Sequence, residues 1–285
     1  MGTVSVIIPV RNGAHEISDQ LDALCMQTDP DFELIVSDNG STDNLREVLA
    51  SYEDRLNLRQ VDASAQRGVA FARNTGARAS EADYIMVCDA DDVVGAYWVE
   101  TFRRHLDKDP SAIYTGRIIG VDPANKDLSQ FTRGEDLKDE VKPLEATSMS
   151  GGNFAVSREV WWQNDGFRED FVVGGAEDVD FALRAVKKNI KIFQLSDAEI
   201  LYSERPTVWA SFNRGRGYGR GNLQLWRDHG PDVLNVNLRH SLFTFVKTLP
   251  QLLTTDKRVA KNVAHRIGIH FQYVIYLLAH PQKNK

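Results

Sequence analysis

The chain has 285 residues, 42% hydrophobic and 26% charged, with a formal net charge of −6. That balance suits one large α/β domain with an appendage and excludes a chain too small or too polar to bury a sizeable core. With only Cys25 and Cys88, neither a disulfide scaffold nor a zinc site is expected, and no run reaches the ~18 apolar residues needed to span a bilayer.

The N-terminus, MGTVSVIIPV, carries no basic region and only a short apolar run, so no export signal is expected. Val4–Val10 is apolar and β-branched and reads as a strand, and Arg11-Asn12-Gly13 turns the chain. Ile17, Leu21, Leu24 and Cys25 then follow at helical spacing. Phe32–Ser37 predicts a second strand. Asp38–Asp43 is built of turn and N-cap residues, and a helix is expected from about Asp43 to Tyr52. Leu56–Val61 reads as a third strand, Gly68–Ala79 as an Ala-rich helix and Asp83–Cys88 as a fourth strand. This alternation predicts a parallel sheet with right-handed crossovers.

The fourth strand ends abruptly in Asp89-Ala90-Asp91-Asp92. Carboxylates crowded at a strand end repel one another unless a cation sits there, and the carboxyl edge of a parallel sheet is where open α/β folds place ligands. Mg²⁺ and Mn²⁺ take oxygen ligands and often share carboxylates with substrate phosphates, so the pattern points to a metal-diphosphate site. Helix capping accounts for one acid rather than three. A calcium loop fails because Val93 and Val94 stand where a ligand and a glycine are required.

Beyond it, Gly95–Leu106 reads as helix and Ala112–Val121 as strand, while residues 122–147 read as a mobile polar loop. Gly151–Val156 leads into a short helix carrying Trp161 and Trp162. Gly174-Gly175-Ala176-Glu177-Asp178 opens a further helix to about Lys188. From about Trp209 the chain turns helical and basic, with Arg214–Gly221 as a glycine-rich interruption. Residues 205–285 hold 13 Lys and Arg against three Asp and Glu, so the basic end is expected to meet something anionic. A membrane surface or a substrate diphosphate is favoured over nucleic acid, for which no binding module is present. The apolar stripe Ile267, Phe271, Val274, Ile275 and Leu278 is expected to dock on the protein's own core, with interfacial membrane contact as the alternative.

The ordered set Ile8-Pro9-Val10-Arg11-Asn12, Ser37-Asp38-Asn39-Gly40-Ser41-Thr42-Asp43, Ala72-Arg73-Asn74, Asp89-Ala90-Asp91, Gly151-Gly152-Asn153 and Glu177-Asp178 resembles the family 2 glycosyltransferases of the GT-A fold, over roughly residues 3–205. The resemblance implies a Rossmann-like, mostly parallel sheet flanked by helices, with a C-terminal helical extension. The expected domains are a catalytic domain at 1–208, split into a nucleotide-binding half (1–92) and an acceptor half (93–208), and a basic helical extension at 209–285. The implied nucleotide-binding residues are Pro9, Val10, Arg11, Asp38, Asn39, Arg73, Asp89 and Ala90. Asp91 with Asp89 would hold Mn²⁺ or Mg²⁺, and Asp178, with Glu177 beside it, matches the catalytic base. Where many relatives carry Asp, this chain has Asn39, whose amide both donates and accepts and so suits a uracil or thymine edge. No His stands in Leu201–Thr207, where many relatives have a metal ligand, so diphosphate oxygens and water complete the shell.

One base and no covalent nucleophile predict a single displacement with inversion, from a nucleotide-diphosphate sugar (a UDP-sugar favoured) to a saccharide or lipid-linked saccharide. Asn153 and Trp161 are candidates for the acceptor side, and Arg214, Arg216 and Arg220 for a grip on the diphosphate. The expected setting is cytoplasmic, peripheral to the inner face of the membrane, in surface polysaccharide or glycoconjugate synthesis. The competing functions are a sugar-nucleotide pyrophosphorylase and a nucleotide-sugar-binding subunit without turnover. The first needs a glycine-rich phosphate loop after the first strand, and none is present. An oxidoreductase would need G-x-G-x-x-G there.

Overall fold

The computed structural model describes residues 1–121, 137–171, 175–234 and 236–280. They fall into two compact units, 1–172 with 178–203, and 173–177 with 204–285.

The first unit is built on one sheet. Strands β1 (Val4–Val10), β2 (Glu33–Asp38), β3 (Leu58–Asp62) and β4 (Tyr84–Cys88) run parallel in the order β3-β2-β1-β4. Helices α1 (Ile17–Cys25), α2 (Leu45–Ala50) and α3 (Val69–Ala79) connect them, as the alternating pattern predicts. The period of two divides the strands between two cores. Val6, Ile8, Val10, Leu34, Val36, Met86 and Cys88 pack on one side, and Ile7, Ile35, Ile85 and Val87 on the other. Register sets Val10 opposite Asp38 and Asp38 opposite Asp62, so the carboxyl ends of these strands share one edge.

Past β4 the sheet becomes mixed. Strand β5 (Val93–Val94) and helix α4 (Trp98–Lys108) precede β6 (Ile113–Val121), β7 (Val141–Pro143) and β8 (Asn153–Ser157). Strand β8 lies antiparallel between β4 and β6. The 12-residue β9 (Ile192–Ser203) runs parallel to β6 and antiparallel to β5 and β7. Because β8 pairs antiparallel with β4, Cys88 opposite Asn153, the chain enters β8 beside the end of β4. Gly151 and Gly152 are thereby brought to the acidic edge. Helices α5 (Arg158–Gln163) and α6 (Glu177–Lys187) follow. Of the expected 122–147 loop, residues 122–136 lie outside the described set, while the remainder contains β7 and a 3₁₀ turn at Ala146–Ser148.

In the second unit, α7 (Val208–His229), α8 (Leu238–Thr248) and α9 (Lys257–Ala279) pack around Leu223, Val236, Tyr273 and Leu277. The predicted interruption at Arg214–Gly221 is absent: α7 is one 22-residue helix. A Cβ at Gly215 would stand 2.0 Å from His265 O of α9, and one at Gly268 of α9 would stand 2.2 Å from Phe212 O. Backbone contact between helices overrides the ~1 kcal/mol that each helical glycine gives up relative to alanine. The predicted stripe on α9 is divided: Ile267 is buried, whereas Ile275 and Leu278 are exposed.

Candidate active site

A cleft of about 610 Å³ opens at the sheet edge, lined by Pro9, Val10, Arg11, Gly13 and Glu16 after β1, by Asn39 after β2, and by Asp89, Ala90 and Asp91 after β4. Arg67, Gly68, Val69 and Ala72, at the start of α3, complete it. Gly68 has φ +137°, a conformation that strongly favours glycine, and it turns the first turn of α3 onto the cleft. The N–H groups of that first helical turn, with the guanidinium groups of Arg11 and Arg67, make this wall favourable for anions.

Opposite this wall stands an acidic cluster fixed by backbone. Arg73, buried on α3, donates from Nη2 to Asp89 Oδ1 at 3.1 Å, and its guanidinium lies 5.2 Å from the Phe167 ring centre. A Cβ at Gly152 would stand 2.3 Å from Asp89 Oδ2. One at Gly151 would stand 2.6 Å from Arg73 Nη1 and 3.0 Å from Asp178 Cβ. Only glycine lets Arg73, Asp89 and Asp178 close on this segment. Asp178 is anchored at the head of α6, accepting from Gly151 N–H at 3.0 Å and from its neighbour Val179 N–H at 2.8 Å. Asp91 lines the cleft, and its carbonyl accepts from Ser203 Oγ of β9 at 2.8 Å. The last residue before β5, Asp92, is buried.

Carboxylate oxygens are the donors that Mg²⁺ and Mn²⁺ take. Asp89 and Asp91 both line the cleft, with one oxygen of Asp89 taken by Arg73. Among the described residues no three His, Cys, Asp or Glu side chains cluster to form a preformed metal cage.

Several other predicted site residues carry bonds within the fold. In Asn39, which also lines the cleft, Nδ2 donates to Ala63 O at 2.5 Å and Gln66 O at 2.7 Å, and Oδ1 accepts from Gly68 N–H at 3.0 Å. Both donors are spent on the loop that leads into α3. Asp38 likewise accepts from Ser41 N–H at 2.8 Å and Gln60 Nε2 at 2.9 Å. Asn153 is fully buried and accepts from Trp98 Nε1 at 2.8 Å while donating to the carbonyls of Arg117 and Ala198. It ties β8 to α4 and to the β6–β9 bulge. Trp161 is buried too, stacked on Phe154 at 5.9 Å and edge-on to Phe167 at 5.4 Å. Glu177 belongs to the second unit, where its carboxylate accepts from Gly175 N–H at 2.9 Å. Arg214, Arg216 and Arg220 lie along α7 in that unit. Arg214 sits 5.3 Å from the Tyr218 ring centre, Arg216 lies 5.8 Å from that of Phe271, and Arg220 is exposed.

A sequence model described as glycosyl transferase family 2 matches residues 5–164, which span β1 to α5 and carry the cleft and both glycines. The chain belongs to glycosyl transferase family 2. A second model, described as the N-terminal domain of galactosyltransferase, matches residues 137–205 of this family 2 chain. Among curated relatives, it is 31% identical over 217 residues to validoxylamine A glucosyltransferase of Streptomyces hygroscopicus subsp. jinggangensis, covering 64% of this chain and 50% of the relative. It is 28% identical over 252 residues to chondroitin synthase of Escherichia coli, covering 75% of this chain and 36% of the relative. The chain thus spans half or less of the length of these relatives. Two solved structures share its GT-A fold. TarS 1–349 of S. aureus, in complex with UDP-GlcNAc, superposes with TM-score 0.59 at 17% identity over 98% of this chain and 92% of that one. The mannosyltransferase PcManGT of Pyrobaculum calidifontis, with GDP-Man and Mn²⁺, gives 0.59 at 18% over 98% and 76%.

The family 2 motifs miss Glu16 after β1 and Arg67, Gly68 and Val69 at the start of α3. The available signal was Arg67-Gly68 ahead of the Ala-rich helix: a cation and a permissive glycine at a helix start.

Proposed function

We propose that the chain is an inverting glycosyltransferase that moves a sugar from a nucleoside-diphosphate donor to a hydroxyl of a saccharide or lipid-linked saccharide. The observation that carries this reading is the meeting of Asp178 with the Arg73–Asp89 pair on Gly151-Gly152, at the end of β4 whose next acid, Asp91, lines the cleft.

In this reading the nucleotide lies across the ends of β1 and β2, over Pro9, Val10 and Arg11. The diphosphate meets Asp91 and the start of α3, with Arg67 and Arg11 offsetting its charge. Mn²⁺ or Mg²⁺ held by Asp91 would neutralise the diphosphate as its bond to the anomeric carbon breaks. Asp178 takes the proton of the attacking hydroxyl, and the two backbone N–H groups that it accepts from keep the carboxylate oriented. The bond to the new oxygen forms on the face opposite the leaving diphosphate, which inverts the anomeric centre. A UDP-sugar is the favoured donor, and the UDP-GlcNAc complex of TarS is in keeping with it. With the amide of Asn39 engaged, base recognition falls to backbone groups and to the residues around Pro9–Arg11.

Donor hydrolysis by the wild type and by Asp178→Asn, with nucleotide binding measured in parallel, tests the assignment. Turnover lost with binding kept supports it, and a product anomer of retained configuration in NMR overturns the single displacement.

A further inference from the structure

Helix α8 is amphipathic in the reverse sense. At 3.6 residues per turn, Leu242, Phe243, Val246 and Leu249 fall within an arc of about 120°. That arc faces outward: Phe243 and Val246 are each 64% exposed, and Leu253 on the following 3₁₀ turn is 88% exposed. Turned inward are Ser241 and Thr248, at 1% and 2%, with Leu238 partly buried against the core of the unit and Phe245 stacked on Phe271. A helix that hides hydroxyls and displays Leu, Phe and Val has an apolar face with a use outside the folded chain.

The charge around that face selects its occupant. From Val233 to Lys285 there are eight Lys and Arg and a single carboxylate, Asp256, which caps α9 through the N–H groups of Arg258 and Val259. Arg239 and Lys247 are exposed on α8, Lys257 is exposed at the start of α9, and Lys247 Nζ lies 5.7 Å from the Phe243 ring centre. Long basic side chains bordering an apolar helix face suit an interface in which the hydrocarbon sits below and anionic groups sit at the rim. A second copy of the same face would set these cations against one another. No described helix is long and apolar enough to cross a membrane, so contact of this kind is in the plane of the surface.

We infer that α8 and the turn after it, through Leu242, Phe243, Val246, Leu249 and Leu253, form a docking face for an anionic lipid bilayer, with Arg239, Lys247 and Lys257 on the headgroups. This goes beyond the sugar-transfer reading and does not depend on it. The test is co-sedimentation of the full chain with vesicles of phosphatidylcholine alone and of phosphatidylcholine with phosphatidylglycerol, alongside sedimentation velocity without lipid. Wild type should bind the anionic vesicles and lose binding as salt rises. The double variant F243S/V246S should bind at least about tenfold more weakly with its thermal midpoint unchanged, because both positions are exposed. K247E should weaken binding on the anionic vesicles only. The inference is overturned if wild type stays in the supernatant or if the double variant binds as wild type does. A wild-type dimer that the double variant abolishes, with vesicle binding intact, overturns it equally.

Discussion

The N–H of Gly151 donates to Asp178 Oδ2 at 3.0 Å, and the same glycine leaves no room for a side chain between Asp178 and Arg73. Gly151→Ala and Gly152→Ala should therefore act on the chemistry first. The new methyl at 151 must displace Arg73 Nη1, and that at 152 must displace Asp89 Oδ2. Displacements of this size are expected to lower kcat/KM by about 100-fold. Steady-state kinetics with thermal melts will show it; unchanged rates would mean that the cluster is not tied to the reaction.

Asp178→Asn keeps the size of the side chain and one oxygen acceptor but removes the base. Turnover should fall by at least about 100-fold, with nucleotide affinity kept. Stability should fall by about 1 kcal/mol, since an amide serves only one of the two backbone N–H groups well. Calorimetric titration beside donor-turnover assays separates the two effects.

Asn39→Asp distinguishes a framework role from base reading. A carboxylate there faces Ala63 O and Gln66 O with no hydrogen to give, which costs about 3 kcal/mol or more. The expected result is a lowered Tm and weaker binding of every nucleotide alike. A selective change between UDP and GDP, with Tm unchanged, would return Asn39 to the base.

Three histidines make stability depend on pH. Burial holds His105, His265 and His270 below their ordinary value of 6.5, aided at His265 by Arg214 and at His270 by His240 and Arg266. The folded chain keeps them neutral where the unfolded chain already binds protons, so stability rises with pH in that window. It is fully present above about 6.5 and lost as pH falls below it. Thermal melts should show Tm dropping as pH falls below about 6.5, more gently in His265→Gln. A flat profile there would contradict the burial of these rings.

Much of the fold could be read directly because its signals are local. Val4–Val10 and Tyr84–Cys88 are apolar along their whole length, as strands covered on both faces must be, and three acids cannot crowd a strand end without a reason. Strand β9 was harder, since Gln194, Ser196, Asp197 and Glu199 break its pattern where one face is only partly covered. For Asn153 the pattern alone could not separate a buried polar residue from a ligand-binding one, because its partners, Trp98 and two carbonyls, lie far away in sequence. The glycines of α7 read as a breaker by propensity. For Gly215 and Gly219 the reason lies in α9, about 50 residues further on, and for Gly221 in Gly175, and contacts between distant segments are not visible in local pattern.

The central claim is that the acidic edge of β4 gathers a nucleoside diphosphate with a divalent ion at Asp91. Calorimetric titration of UDP, GDP, dTDP and CMP into the wild type and Asp91→Asn, each with and without Mn²⁺, tests it most directly. The account predicts that one nucleoside diphosphate binds wild type at least about tenfold more tightly with Mn²⁺ and that Asp91→Asn loses this gain. Binding that ignores both the ion and the substitution, or no binding of any nucleotide, would contradict it.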